Sequence, residues 1–124
     1  MATINSVLAN RFDYFFWTGF YRVCGERLAV GPYIGTVGCL QIEFGRGVCG
    51  TAARNRETII VPDVNQFPGH IACDPNTRSE IVVPVFDRER TLIAVLDVDS
   101  DRLNAFDEDD RVGLERIVGL FEHS

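Results

Sequence analysis

The chain has 124 residues, which fits one domain over residues 1–124, and 46% of them are apolar, enough for a core. A formal charge of −6 with no basic run excludes the electrostatic footprint of a nucleic-acid binder. No apolar run reaches the roughly 18 residues a membrane span needs. Met1-Ala2-Thr3-Ile4-Asn5-Ser6 has neither the cationic nor the apolar region of a signal peptide, so the expected compartment is the cytoplasm.

In chain order, residues 2–12 read as a short helix with Ile4, Val7, Leu8 and Phe12 on one face. Phe16 to Val23 reads as an aromatic-rich strand with Trp17, Gly19, Tyr21 and Val23 on one face. Gly19 between the two rings leaves a slot for a small apolar group, although close strand packing also accounts for a glycine there. Leu28-Ala29-Val30 is a short strand that should end at Gly31-Pro32, and Val37 to Phe44 is another. In the latter, Leu40, Ile42 and Phe44 share one face and Cys39, Gln41 and Glu43 the other.

Gly45-Arg46-Gly47-Val48-Cys49-Gly50 matches Gly-x-Gly-x-x-Gly literally. A dinucleotide site would also need a full crossover helix and an acid at the next strand end. Only Thr51 to Asn55 looks helical before the next strand, Thr58 to Val61. The motif therefore reads as a tight turn feeding a short helix, with Cys49 near its start.

Phe67-Pro68-Gly69-His70-Ile71-Ala72-Cys73-Asp74-Pro75 forms a turn-rich loop. Asp74-Pro75 has the form of a helix N-cap followed by proline at the first helical position. Cys73 would then lie beside free N–H groups that favour a thiolate, with His70 adding to this if protonated and Asp74 opposing it. A partly buried, inert thiol in a turn is the competing reading. In a reducing compartment Cys24, Cys39, Cys49 and Cys73 point to catalysis, metal binding or packing rather than structural disulfides. His70, Cys73, Cys39 and Cys49 hold the donors of a zinc site but lack its paired spacing, so no metal is expected.

Ser79 to Phe86 and Thr91 to Asp99 flank the polar loop Asp87-Arg88-Glu89-Arg90 and predict a β-hairpin. Pairing Phe86 with Thr91 sets Glu80 opposite Asp97, with Asp99 on the same face, and gives Leu92, Ala94, Leu96 and Val98 to the other. Three carboxylates so placed repel one another, a cost that marks a site for a cation or for a raised pKa. A solvated edge with splayed charges is the alternative. Asp107 to Asp110 open a C-terminal helix whose apolar stripe is Leu114, Ile117, Val118 and Phe121. The order of helix, strands, short helix, strands and helix predicts an α+β fold.

Trp17-Thr18-Gly19-Phe20-Tyr21, Gly45-Arg46-Gly47-Val48-Cys49-Gly50-Thr51-Ala52, Val61-Pro62-Asp63-Val64, the loop Phe67 to Asp74, Ser79-Glu80-Ile81-Val82-Val83-Pro84 and Val95-Leu96-Asp97-Val98-Asp99-Ser100 resemble one family. That family is the free methionine-R-sulfoxide reductases, built on a GAF domain. The resemblance runs from about Trp17 to the end of the chain. It implies a GAF-like fold, an antiparallel sheet of about six strands with helices on its faces, and a homodimer. It implies reduction of free methionine-R-sulfoxide with thioredoxin as reductant and no bound cofactor.

Position by position, Cys73 matches the family's attacking cysteine, Cys39 the resolving cysteine that forms a Cys39–Cys73 disulfide, and Cys49 a third family cysteine. Trp17 and Tyr21 match residues at the substrate's methyl end, and Glu80, Asp97 and Asp99 its substrate-binding acids. Cys24 has no family counterpart and reads as packing. Family members carry a longer region before the tryptophan strand, so the first helix here looks shortened. The rival function is a GAF-like sensor that binds a small ligand without turning it over; such a sensor needs no thiols.

Overall fold

In the computed structural model, the structure describes residues 17–34, 41–69 and 76–123. Six strands form one antiparallel sheet: β1 (Trp17–Cys24), β2 (Arg27–Ile34), β3 (Gln41–Glu43), β4 (Ile59–Val61), β5 (Ser79–Phe86) and β6 (Leu92–Ser100). Their spatial order is β3-β2-β1-β6-β5-β4, so β1 and β6 lie side by side at the centre. Helix α1 (Gly47–Asn55) connects one edge of the sheet to the other, and α2 (Glu108–Val118) follows β6. The α+β, GAF-like architecture expected from the sequence is the one observed. The first predicted helix, residues 2–12, lies outside the described residues. Among the described residues, no helix is long and apolar enough to cross a membrane.

The sheet separates two apolar clusters. On one face α1 contributes Val48, Cys49, Ala52 and Ala53, which pack with Trp17, Tyr21, Leu28, Ile42, Val82 and Val95. On the other, Leu114 and Val118 of α2 join Phe20, Ile81, Val83, Val85, Leu96, Val98 and Phe106. Strands covered on both faces read as unbroken apolar runs. This is why residues 17–21 of β1 and 79–85 of β5 are all buried. Alternation still decides the side: Trp17 and Tyr21 go to the α1 face, and Phe20 goes to the α2 face, where it meets Phe121 edge-on at 6.1 Å.

Four sequence expectations need correction. β2 does not stop at Gly31-Pro32 but continues to Ile34. The β1–β2 register shifts between Gly19 and Tyr21, so Gly31 and Pro32 share the place opposite Phe20. A bulge of this kind accommodates a proline that has no N–H for the ladder. Secondly, α1 starts at Gly47, not Thr51, so the glycine motif forms its first turn. A Cβ on Gly50 would overlap the carbonyl oxygen of Glu43, so the motif's last glycine allows α1 to approach the sheet edge.

Thirdly, no helix follows Asp74-Pro75: residue 76 is in a turn, 77 and 78 are not helical, and β5 starts at Ser79. The helix-terminus argument for a Cys73 thiolate therefore lapses. Fourthly, the hairpin register differs from the expected one. Phe86 pairs with Leu92, a bulge intervenes, and Val85 pairs with Ala94. The tip is a turn in which Asp87 Oδ1 accepts from the N–H groups of Glu89 (2.9 Å) and Thr91 (3.0 Å), with Arg90 in the left-handed region at φ 65°. Each offset moves the pairing by one residue. Together they move it by two, which leaves every later side chain on its predicted face. At the bulge Leu92 changes sides and packs with the Trp17 cluster, and Ile93 packs with the Phe20 cluster.

α2 begins as the acidic run predicted. Asp107 caps it by accepting from the N–H of Asp110 at 3.0 Å, and Asp110 accepts from the N–H of Asp107 at 2.9 Å.

Candidate active site

The corrected register assembles the predicted acids. Glu80 pairs with Asp99 across β5 and β6, and Asp99 pairs in turn with Trp17 of β1. Two residues back along β6, Asp97 stands between Val82 and Gly19. Glu80, Asp97, Asp99, Trp17 and Tyr21 thus share the face that α1 covers. Gly19 was legible only as a spacer between two rings. Its further role, leaving Asp97 without a facing side chain from β1, depends on the β1–β6 register and has no local sequence signal.

The rings of Trp17 and Tyr21 stack across Gly19 with centroids 5.8 Å apart and planes 25° apart. That is contact distance for an offset pair. The slot expected between them is closed, and the pair forms a continuous apolar wall instead.

Cys49 sits in the first turn of α1 and is only 4% exposed. Its thiol donates to Glu80 Oε2 at 3.9 Å. Ligand atoms of Cys49, Glu80 and Asp97 lie within 4.8 Å of one another. Glu80 is 7% and Asp97 4% exposed, and Asp97 Oδ1 is buried with no hydrogen-bond partner. The solvated-edge alternative does not hold: Glu80 and Asp97 are interior, and Asp99 is half-buried beside them.

Burial shifts the titration of this group in one direction. It pushes the Asp97 carboxyl well above the ordinary carboxylate range; the charges of Asp99 and Glu80 and hydrogen bonds with the same two groups add to this. Burial likewise pushes up the Cys49 thiol, with Asp97, Glu80 and Asp99 contributing. The Tyr21 phenol is raised by burial first and then by Asp97. On this face burial therefore favours the neutral forms of the Asp97 carboxyl, the Cys49 thiol and the Tyr21 phenol. A carboxylic acid kept neutral in this way can donate a hydrogen bond or a proton to a bound ligand.

Cys39, His70 and Cys73 lie outside the described residues. Cys24, read as packing, is instead exposed at the end of β1.

The sequence matches the GAF domain family over residues 9–122. It is 47% identical over 111 residues to the free methionine-R-sulfoxide reductase of Saccharomyces cerevisiae, covering 87% of this chain and 62% of that protein. It is 38% identical over 122 residues to the free methionine-R-sulfoxide reductase of Escherichia coli, covering 98% of this chain and 73% of that protein. Among solved structures, free methionine-R-sulfoxide reductase from Neisseria meningitidis in complex with its substrate superposes with a TM-score of 0.94 at 43% identity, over 98% of this chain and 73% of that one. With its GAF fold, and with similarity of this extent to the yeast and bacterial enzymes, the chain belongs to the free methionine-R-sulfoxide reductases, a family of oxidoreductases.

Proposed function

We propose that this protein reduces free methionine-R-sulfoxide to methionine, with Cys73 as nucleophile, Cys39 as resolving cysteine and thioredoxin as reductant, acting in the cytoplasm as a homodimer. The observation that carries this reading is the pair of buried acids Glu80 and Asp97, with half-buried Asp99, beside the Trp17–Tyr21 wall. The chemistry needs both halves of it. The Cys73 thiolate attacks the sulfoxide sulfur, and the S–O bond breaks only if the departing oxygen receives a proton. Asp97, whose neutral form is favoured by burial and by its acidic neighbours, is the group suited to supply that proton. The protonated oxygen passes to the Cys73 sulfur as the transient sulfur–sulfur bond breaks, so methionine leaves with its sulfur reduced by two electrons and Cys73 is oxidised to a sulfenic acid. The Cys39 thiol condenses with the sulfenic acid, releasing water and forming the Cys39–Cys73 disulfide. A dithiol partner then reduces this bond and is itself oxidised.

The remaining residues fit the substrate's two ends. Glu80 and Asp99 attract the free ammonium group, which a peptide-bound residue lacks, and the apolar ring pair faces the methyl end. Cys49 serves in this scheme as a hydrogen-bond donor to Glu80, since a thiol held protonated by burial is a poor nucleophile.

The test is NADPH oxidation coupled through thioredoxin reductase and thioredoxin. Wild type should turn over the free R-sulfoxide, and Cys73→Ser should not. Cys39→Ser should release one equivalent of methionine per subunit and then stall, and mass spectrometry of oxidised wild type should find a Cys39–Cys73 link. Binding of the sulfoxide without turnover in wild type would return the protein to the sensor class. A Cys49–Cys73 link as the main product would exchange the roles of Cys39 and Cys49.

A further inference from the structure

The residues that serve sulfoxide reduction also have the donor chemistry of a metal site. Three ligand atoms, one sulfur from α1 and two carboxylate oxygens from β5 and β6, come within 4.8 Å of one another. Each belongs to a buried residue fixed on a regular element, so the separation does not depend on loop conformation. Independently, Asp97 Oδ1 is buried and lacks any hydrogen-bond partner, which is costly unless some ligand supplies one.

We propose that Cys49, Glu80 and Asp97 form a binding site for a thiophilic divalent cation of the zinc class, with water completing the coordination. The donor set selects the metal. Calcium and magnesium take six or more oxygens, whereas one thiolate and two carboxylates satisfy a four-coordinate ion that accepts sulfur. The dimensions fit as well. Bonds of about 2.3 Å to sulfur and about 2.0 Å to oxygen at tetrahedral angles place sulfur and oxygen about 3.5 Å apart. The Cys49 Sγ–Glu80 Oε2 separation is 3.9 Å, so a small rotamer adjustment closes it onto an ion. Coordination replaces the Cys49 S–H bond with a sulfur–metal bond, and the proton passes to solvent. Asp99, opposite Glu80 in the ladder, adds outer negative charge. An ion here would occupy the carboxylates that face any ligand on this side of the sheet. The assignment stands on these side chains alone, and its failure would leave the reductase reading untouched.

Cobalt(II) is the probe, because its visible bands report tetrahedral geometry and its near-ultraviolet band reports a thiolate ligand. The protein is reduced, freed of metal and titrated with Co²⁺, then with Zn²⁺ as competitor. A chain carrying Cys24→Ser, Cys39→Ser and Cys73→Ser keeps Cys49 as its one sulfur donor among the cysteines. It should bind one Co²⁺ per chain with a thiolate band that Zn²⁺ abolishes. Glu80→Gln or Asp97→Asn in that background should weaken binding by about 100-fold, at the upper end of what outer-sphere changes alone cost; thermal melts establish which variant is folded. Absence of the thiolate band in the Cys49-only chain, or affinity unchanged by both carboxylate substitutions, overturns the proposal. If the triple variant does not fold, wild type and Cys49→Ser decide: a band lost in Cys49→Ser supports the site, and a band retained overturns it.

Discussion

Asp97 bears an electrostatic cost in the site. Its carboxyl is interior, next to two further acids, in a position where packing alone would favour an apolar side chain. The native state holds a proton on this group at pH values where the unfolded chain has already released it. Stability contributed by this residue therefore declines as pH rises from the ordinary value of 3.8 toward the raised native value. Asp97→Asn removes that decline. We expect the variant to melt at or above the wild-type temperature at pH 7, with the difference shrinking as pH is lowered toward about 4, near the ordinary carboxyl pKa, while reduction of the sulfoxide falls by about 10²-fold or more. Melts followed by circular dichroism at several pH values check the first part and steady-state rates the second. A variant that melts far below wild type and stays active would make Asp97 a structural residue.

The elements of the site are held by close backbone approach, and two glycines show how. In a helix interior, glycine to alanine ordinarily stabilises by about 0.5–1 kcal/mol. At Gly113 in α2 an added methyl would have nothing within 4 Å, so Gly113→Ala should show that gain. At Gly50 in α1 the methyl meets the Glu43 carbonyl, and the backbone nitrogen of Gly45 is 3.1 Å away. Gly50→Ala should therefore destabilise by about 1–3 kcal/mol, and by displacing α1 it should also disturb the Cys49–Glu80 contact. Urea unfolding of the two variants checks both signs. Equal effects in the two would mean that α1 does not depend on its approach to β3. The far end of α1 is tied down as well. Arg56, left-handed at φ 59°, donates to the Arg90 carbonyl at 2.6 Å, and both guanidinium groups lie 4.9 Å from the centre of the Phe86 ring. The helix that carries Cys49 is thereby fixed to the hairpin that carries the acids.

Across the whole molecule, what the sequence disclosed followed from periodicity. The aromatic strand, the final hairpin and the helix after Asp107 were legible because alternation, polar turns and an acidic first turn are local signals. The register was not. The bulge at Ile93, between Leu92 and Ala94, falls in the apolar run Leu92 to Leu96, where a change of face leaves no polar residue out of place. The convergence of Glu80, Asp97 and Asp99 survived this error because a shift of two residues preserves the face. Gly31-Pro32 ended the predicted strand because a proline's tolerance at a bulge depends on its partner strand. The closed Trp17–Tyr21 slot and the deep burial of Cys49 depend on how α1 covers the sheet, which is a tertiary outcome.

In the proposed mechanism these acids hold the proton that leaves with the sulfoxide oxygen. The most direct measurement is the pH dependence of kcat/KM for free methionine-R-sulfoxide in wild type and in Glu80→Gln. Activity should fall on the alkaline side as Asp97 loses its proton. Glu80 is one of the charges that raise Asp97, so its neutralisation should move that alkaline limb to lower pH, as well as lowering the rate. An alkaline limb that stays in place or moves to higher pH in Glu80→Gln would contradict the claim.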